Sequence, residues 1–299
     1  MARRKKKISA AALQAGIWAA GQLAAYGGSF DEPNTAIASG TNAIAIGEAA
    51  TASGTNSTAI GTSANATSSG AIAIGSGSLA NAINALAEGT SALSTGANAV
   101  SLGTGSSASN ANALAIGTGS TSSAVNTTAL GTRANANSNN AIAAGTSATA
   151  TGTNATALGT TAVASNSNGI AIGSNAASSG VNASAIGAGA SATSDNALAT
   201  GSGANASGTN AVALGTAVSA NSNNGIAIGT AASSTSANAI AVGAGASASG
   251  SNATAIGRGA VANRANQFTL GTASSIYYLP GADPTNAPNA PAPTQSNSI

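Results

Sequence analysis

The sequence predicts an all-β solenoid built from coils of fourteen residues each. A glycine recurs at every fourteenth position from Gly47 through Gly61 to Gly271, so that 17 positions lie in register without an insertion or a deletion. Short segments with alternating apolar residues precede these glycines, as β-strands require. Charged residues make up 5% of the chain and aromatic residues 2%, too few for an ordinary globular core. A fixed short period means that each unit is one turn of chain stacked on the next.

The segment before each glycine is predicted to be a strand. With the glycine as position 0, aliphatic residues fill most of positions −3 and −1, as Ile44 and Ile46 do in the first unit. The alternation places both side chains on one face, which we expect to be the inside of the coil. Position −2 is Ala in 15 of 17 units. A row of methyl groups on the outside would indicate close packing against another copy of the chain.

A second strand is expected after the glycine, because positions +3 and +5 are small in nearly every unit, as with Ala50 and Ala52. Large inward residues then lie opposite small ones. Glycines such as Gly54 are expected to close each coil with a positive φ. Position −5 is Asn in 16 of 17 units, beginning at Asn42, and predicts a structural ladder of stacked amides. Parallel pairing of successive coils at ~4.8 Å predicts a rod of roughly 75–80 Å.

The composition excludes several classes of function. The chain has no Cys and no His, which excludes disulfides, His or Cys zinc sites, and Ser–His or Cys–His catalysis. Five of the eight basic residues lie within residues 3–7, so the repeats are neutral and offer no groove for nucleic acid. We therefore expect no enzyme, no catalytic residue, no metal site and no cofactor.

The repeat units resemble the head repeats of trimeric autotransporter adhesins, the YadA-like heads. The units NAIAIGEAATASGT and NAVALGTAVSANSN carry the family pattern of an Asn, a small residue, an aliphatic-Ala-aliphatic run and a glycine. The resemblance covers Asn42 to about Leu279 and implies a left-handed parallel β-roll, a homotrimeric rod and a role in surface attachment. The segment NRANQFTLGTASSIYYLPGA also resembles the coil that closes such heads.

Three parts of the chain are expected. Residues 1–30 form a basic, Ala-rich docking segment, residues 31–279 the β-roll repeat domain with its closing coil, and residues 280–299 a Pro-rich extended tail. Residues 8–25 predict a short helix, for which docking into a larger assembly, a signal peptide and a membrane-surface helix are the alternatives. Phe268, Tyr277 and Tyr278 are expected to cap the open end of the solenoid.

Two units depart from the pattern and suggest a place for ligand contact. Glu88 occupies position −1, where an inward carboxylate would be costly unless it were paired or neutral. Leu79 and Leu93 occupy position +4, a column made mostly of small polar residues. We expect a locally irregular coil that turns Glu88 to water and the leucines inward. The alternative is that Leu79 and Leu93 form a belt that contacts a receptor or a partner chain.

Attachment is the function that these features predict. The first expectation is a phage fibre or spike that docks through residues 1–30 and projects from the virion toward a host surface. It is favoured because no heptad stalk and no alternating strands of a membrane barrel follow the repeats. The first alternative is the head of a trimeric autotransporter adhesin on a bacterial cell surface. The second is a purely structural filament. The sequence does not name a receptor.

Overall fold

The computed structural model describes residues 35–276, which form one continuous parallel β-solenoid. No helix occurs among these residues, so the prediction of an all-β solenoid with one coil per repeat unit is confirmed. The N-terminal segment 1–30 with its expected helix, Tyr277, Tyr278 and the tail 280–299 lie outside the described residues.

Each coil contributes one strand to each of two parallel sheets. Sheet A contains 17 three-residue strands: Ile44–Ile46, Thr58–Ile60, Ile72–Ile74, Leu86–Glu88, Val100–Leu102, Leu114–Ile116, Thr128–Leu130, Ile142–Ala144, Thr156–Leu158, Ile170–Ile172, Ser184–Ile186, Leu198–Thr200, Val212–Leu214, Ile226–Ile228, Ile240–Val242, Thr254–Ile256 and Phe268–Leu270. Sheet B contains 17 two-residue strands: Ile37–Ala38, Thr51–Ala52, Asn65–Ala66, Leu79–Ala80, Leu93–Ser94, Ser107–Ala108, Thr121–Ser122, Asn135–Ala136, Thr149–Ala150, Val163–Ala164, Ala177–Ser178, Ser191–Ala192, Asn205–Ala206, Ser219–Ala220, Ser233–Ser234, Ser247–Ala248 and Val261–Ala262.

The register is the same throughout the rod, because every strand except the first and last of each sheet pairs with the equivalent strands of the preceding and following units. Ile44 lies beside Thr58, and Thr51 lies beside Asn65. Equivalent positions of successive units therefore form straight columns along the axis. Each coil contacts only its two neighbours, as in other solenoids.

The strands of sheet A face the opposite way from the sequence prediction. Ala45 is 2% exposed, whereas Ile44 and Ile46 are 41% and 39% exposed. The inward positions are −4, −2, +3 and +5, so the core is a stack of alanines in which the largest buried side chain is Val218. The prediction that the aliphatic residues fill the bore was wrong, and so was the prediction that the alanines at position −2 form an outer packing surface.

The narrowness of the bore explains this orientation. Ser101 from sheet A and Ser106, which leads into sheet B, already meet across it with their hydroxyl oxygens 2.7 Å apart. Branched side chains on both sheets would overfill such a space. The buried hydroxyl groups all have hydrogen-bond partners: Ser57 Oγ, for example, donates to the carbonyl of Gly54 at 2.7 Å. Serine can therefore replace alanine in the bore without leaving an unsatisfied polar group.

Two four-residue turns close each coil. In the first, the Ala50 N–H donates to the Gly47 carbonyl at 3.2 Å, and in the second the Ala43 N–H donates to the Gly40 carbonyl at 3.1 Å. The third residue of each turn has positive φ, 53° at Ala49 and 57° at Asn42. This is the backbone requirement of a type II turn, which Gly and Asn meet at least cost.

The glycines before the asparagine column have a different role from the predicted one. Their φ angles lie outside the left-handed region, so the prediction of positive φ at these positions was wrong. A Cβ at Gly54 would lie 2.0 Å from the carbonyl oxygen of Ser68 in the next coil. Close approach of two backbones selects glycine here. The other members of this set in the predicted turns are Gly96, Gly152, Gly180, Gly208 and Gly250.

Candidate interaction surfaces

The outer face of sheet A is a continuous aliphatic surface, called here the aliphatic face and defined by positions −3 and −1. It holds most of the exposed large hydrophobic residues of the described chain, among them Leu130 at 47% and Ile142 at 40% exposure. With 17 strands at ~4.8 Å spacing the face is roughly 77 Å long. Monomeric proteins rarely expose an apolar patch of this size, so the face has the character of an interface.

Glu88 is the one charged residue on the aliphatic face within the described strands. It pairs in register with Ile74 on one side and Leu102 on the other, in a strand whose pairing is unbroken. The prediction of a locally irregular coil was therefore wrong. Glu88 reaches solvent because its whole column points outward, and no rearrangement of the chain is needed.

Leu79 and Leu93 lie next to each other on the outer face of sheet B, in parallel register. Both are half-buried, and their strands are flanked in the same column by Asn65 and Ser107. Asn65 Oδ1 is buried without a hydrogen-bond partner. The leucines thus form a small apolar patch on a polar sheet, facing away from the aliphatic face, and their role in ligand contact stays a prediction.

The asparagines at position −5 form a ladder along one edge of the rod. Each Nδ2 donates to Oδ1 of the next asparagine at 2.9 to 3.4 Å, without interruption from Asn84 to Asn266. The same residues hold the left-handed turn position, with φ of 56° to 60°. Asparagine therefore serves both the turn backbone and the side-chain ladder. The ladder has one gap, at Gly70.

The glycine column is fixed by contact between neighbouring coils. A Cβ at Gly47 would lie 2.6 Å from the carbonyl oxygen of Gly61, and one at Gly61 would lie 2.7 Å from the carbonyl carbon of Gly75. The last member, Gly271, has a φ of 69°. Phe268, in the final strand of sheet A, is 66% exposed, and its capping role stays a prediction.

The described residues offer little of the chemistry used by enzymes. They contain no group of three or more His, Cys, Asp or Glu residues that could hold a metal ion.

A shallow depression of about 380 Å³ lies at the closing coil, lined in part by Val261 and Leu270. Residues 35–276 include no helix that could cross a membrane.

The comparison with protein-family models identifies the family of this repeat. The model of the YadA head domain repeat matches more than half of the chain, at residues 38–64, 94–120, 122–148, 150–176, 178–204, 192–217, 206–232, 220–246 and 248–266. The chain belongs to the YadA head repeat family. It is therefore an adhesin-type head domain, as the resemblance in the sequence implied. This assignment supports the expectation of an adhesin head better than that of a phage fibre.

Among solved structures, the chain is similar to the collagen-binding domain of the Yersinia adhesin YadA. The two are 28% identical, the alignment covers 48% of this chain and 82% of that one, and the TM-score is 0.41. No curated protein matches the chain. Within this YadA head repeat rod, residues 65–93 are the one internal stretch longer than a single residue that the family model leaves unmatched. This stretch contains Gly70, Leu79 and Glu88, and Leu93 ends it.

Proposed function

We propose that the chain is the head of a bacterial surface adhesin that works as a homotrimer and attaches the cell to a host or other surface. The observation that carries the proposal is the aliphatic face, which one copy leaves open to water along the whole rod. Membership of the YadA head repeat family supports it. Residues 1–30 are proposed to connect the rod to the larger assembly that bears it.

Rotational symmetry accounts for the length of the aliphatic face. Three parallel copies around one axis place identical coils at the same height, so that all 17 strands of sheet A are covered at once. Burial of this apolar area is the driving force for assembly. Sheet B and the turn edges remain outside, where they can meet a ligand. Three copies of a weak site then act together, which raises the strength of attachment without new contacts.

The oligomeric state tests the trimer directly. In sedimentation or native mass measurements we expect three times the 27.3 kDa chain mass. The triple variant Ile142→Ser, Ile172→Ser and Ile228→Ser, on the aliphatic face, should dissociate. The matched control, Val163→Ser with Val261→Ser, changes exposed residues of sheet B and should remain trimeric. A monomeric wild-type protein, or a triple variant that stays trimeric, contradicts the proposal.

We also propose that Leu79 and Leu93 contribute to ligand contact. They are adjacent apolar side chains on the face that the trimer leaves outside. Alanine at both positions should weaken attachment to host cells and leave the melting temperature unchanged, because neither side chain fills the bore. Val163→Ala, at the same column position elsewhere on the rod, is the control. Attachment that is equal in all three proteins rejects a role for the leucines.

A further inference from the structure

The gap in the asparagine ladder lies between two side chains that are left without their ladder partners. Asn42 donates to Asn56 at 3.1 Å, and Asn84 donates to Asn98 at 3.1 Å. Between these pairs stands Gly70, which has no side chain. The Nδ2 of Asn56 therefore has no acceptor in the next coil, and the Oδ1 of Asn84 has no donor from the previous one.

The gap interrupts the row by one side chain. The backbone stays regular, because Gly70 has a φ of 68° and the Asn84 N–H donates to the Ser69 carbonyl at 3.0 Å. Only the side chain is missing. A Cβ at Gly70 would lie 2.6 Å from Asn84 Oδ1, so this acceptor leans into the vacant space. Amides in a hydrogen-bonded row along a parallel β-stack repeat at ~4.8 Å, and one amide therefore completes the row.

The surroundings of the gap are uncharged: the column beside the ladder runs from Thr55 through Ser69 to the apolar Ile83. Ile83, the residue before Asn84, is 58% exposed on the same edge, and the Asn98 N–H fixes its carbonyl at 2.9 Å. The nearest charged residues in sequence, Glu48 and Glu88, lie at the other turn and on the aliphatic face. The gap and Ile83 both fall within residues 65–93, the stretch that the family model leaves unmatched.

We propose that Gly70, Asn56, Asn84 and Ile83 form a binding site for the acetamido group of a neutral, N-acetylated amino sugar. The acetamido carbonyl accepts from Asn56 Nδ2, its N–H donates to Asn84 Oδ1, and its methyl group contacts Ile83. A pendant acetamido group enters the gap end-on. A backbone amide carries chain on both sides and would have to lay it across the neighbouring turns. The inference rests on the proposed adhesin function and names its ligand class.

The test uses the full-length protein and tri-N-acetylchitotriose as the probe, with binding followed by saturation-transfer NMR of the acetamido methyl groups. We expect binding that cellotriose, which lacks acetamido groups, does not show. Gly70→Asn should weaken binding at least tenfold, because its own carboxamide fills the gap. Gly77→Asn is the matched control: it lies in the same coil, has a φ of 64°, and its Cβ would meet only Ser91 Oγ at 3.7 Å. That variant should bind as the wild type does.

Three results would overturn the inference: no acetamido-dependent binding, equal binding by the Gly70→Asn variant, or displacement of the sugar by an Ala-Gln-Ala peptide at lower concentration. Attachment to cells is measured on the same proteins. If the Gly70→Asn variant loses sugar binding and still attaches to cells, the sugar is not the ligand that mediates attachment, and the adhesin proposal is unaffected. Sugar binding without attachment to any surface contradicts the adhesin proposal and leaves the site standing.

Discussion

Two glycines in one turn separate the cost of positive φ from the cost of close coil packing. Gly187 has a φ of 135°, and a Cβ there would lie 2.5 Å from the carbonyl oxygen of Gly201. Gly189 has a φ of 64°, and a Cβ there meets nothing within 4 Å. Alanine at Gly189 should cost only about 1–2 kcal/mol, the strain of the left-handed conformation.

Alanine at Gly187 should cost far more, because the contact is with backbone and must be relieved by moving two coils apart by roughly 0.7 Å. The ladder bonds between these coils, from Gly201 N–H to the Ile186 carbonyl at 2.8 Å and from Gly203 N–H to the Ala188 carbonyl at 2.9 Å, would lengthen beyond useful range. Two lost bonds at about 0.5–1.5 kcal/mol each, added to about 1–3 kcal/mol of backbone strain, predict a loss of about 2–6 kcal/mol.

Denaturant unfolding and hydrogen exchange of the two variants measure this difference, and exchange also locates it. Protection should fall first in the coils around residue 187, because each coil is held only by its neighbours. If the two variants agree within about 1 kcal/mol, close packing of the glycine column is not what selects glycine.

The same geometry leads to three further predictions. Ala171→Leu, in the bore, should destabilise the rod by about 3 kcal/mol in thermal unfolding, since the narrow core has no room for the added carbons; an unchanged melting temperature would contradict the inward orientation. Thr161→Asn should stabilise it by about 1 kcal/mol, because Thr161 has a φ of 55° that asparagine tolerates better; a lower melting temperature would count against this reasoning. Glu88→Leu should lower the dissociation constant of the proposed trimer at least about tenfold in dilution experiments, since it removes a carboxylate from the interface; weaker association would argue against burial of this face.

The sequence was sufficient for the fold but not for the orientation of its strands. The constant repeat length and the alternation around each glycine predict a stack of two-stranded coils, and the structure has that stack. Alternation with a period of two identifies two faces and does not say which is inside, so the placement of Ile44 and Ala45 had to come from the width of the bore. One feature of the sequence did indicate which face is outside. Position −1 accepts side chains as different as Ile46 and Glu88, whereas a packed core tolerates little change in volume.

The asparagine column was predicted as a ladder, but its backbone role was missed. The left-handed φ at Asn42 follows from a four-residue turn that the sequence alone does not delimit. The exception at Gly70 was visible in the sequence, since Asn fills this position in 16 of 17 units. That this exception leaves a gap in the ladder beside Asn84 Oδ1 follows only from the three-dimensional stacking of the coils.

The uniform stacking of the coils has a consequence for how such proteins change in evolution. A gene duplication or deletion of one whole repeat unit shifts the distance between the two tips by a single increment of about 4.8 Å and leaves the remaining interfaces as they were. An insertion of a single residue into a strand would turn its aliphatic residues into the bore. The length of the rod can therefore change in evolution only by whole repeat units.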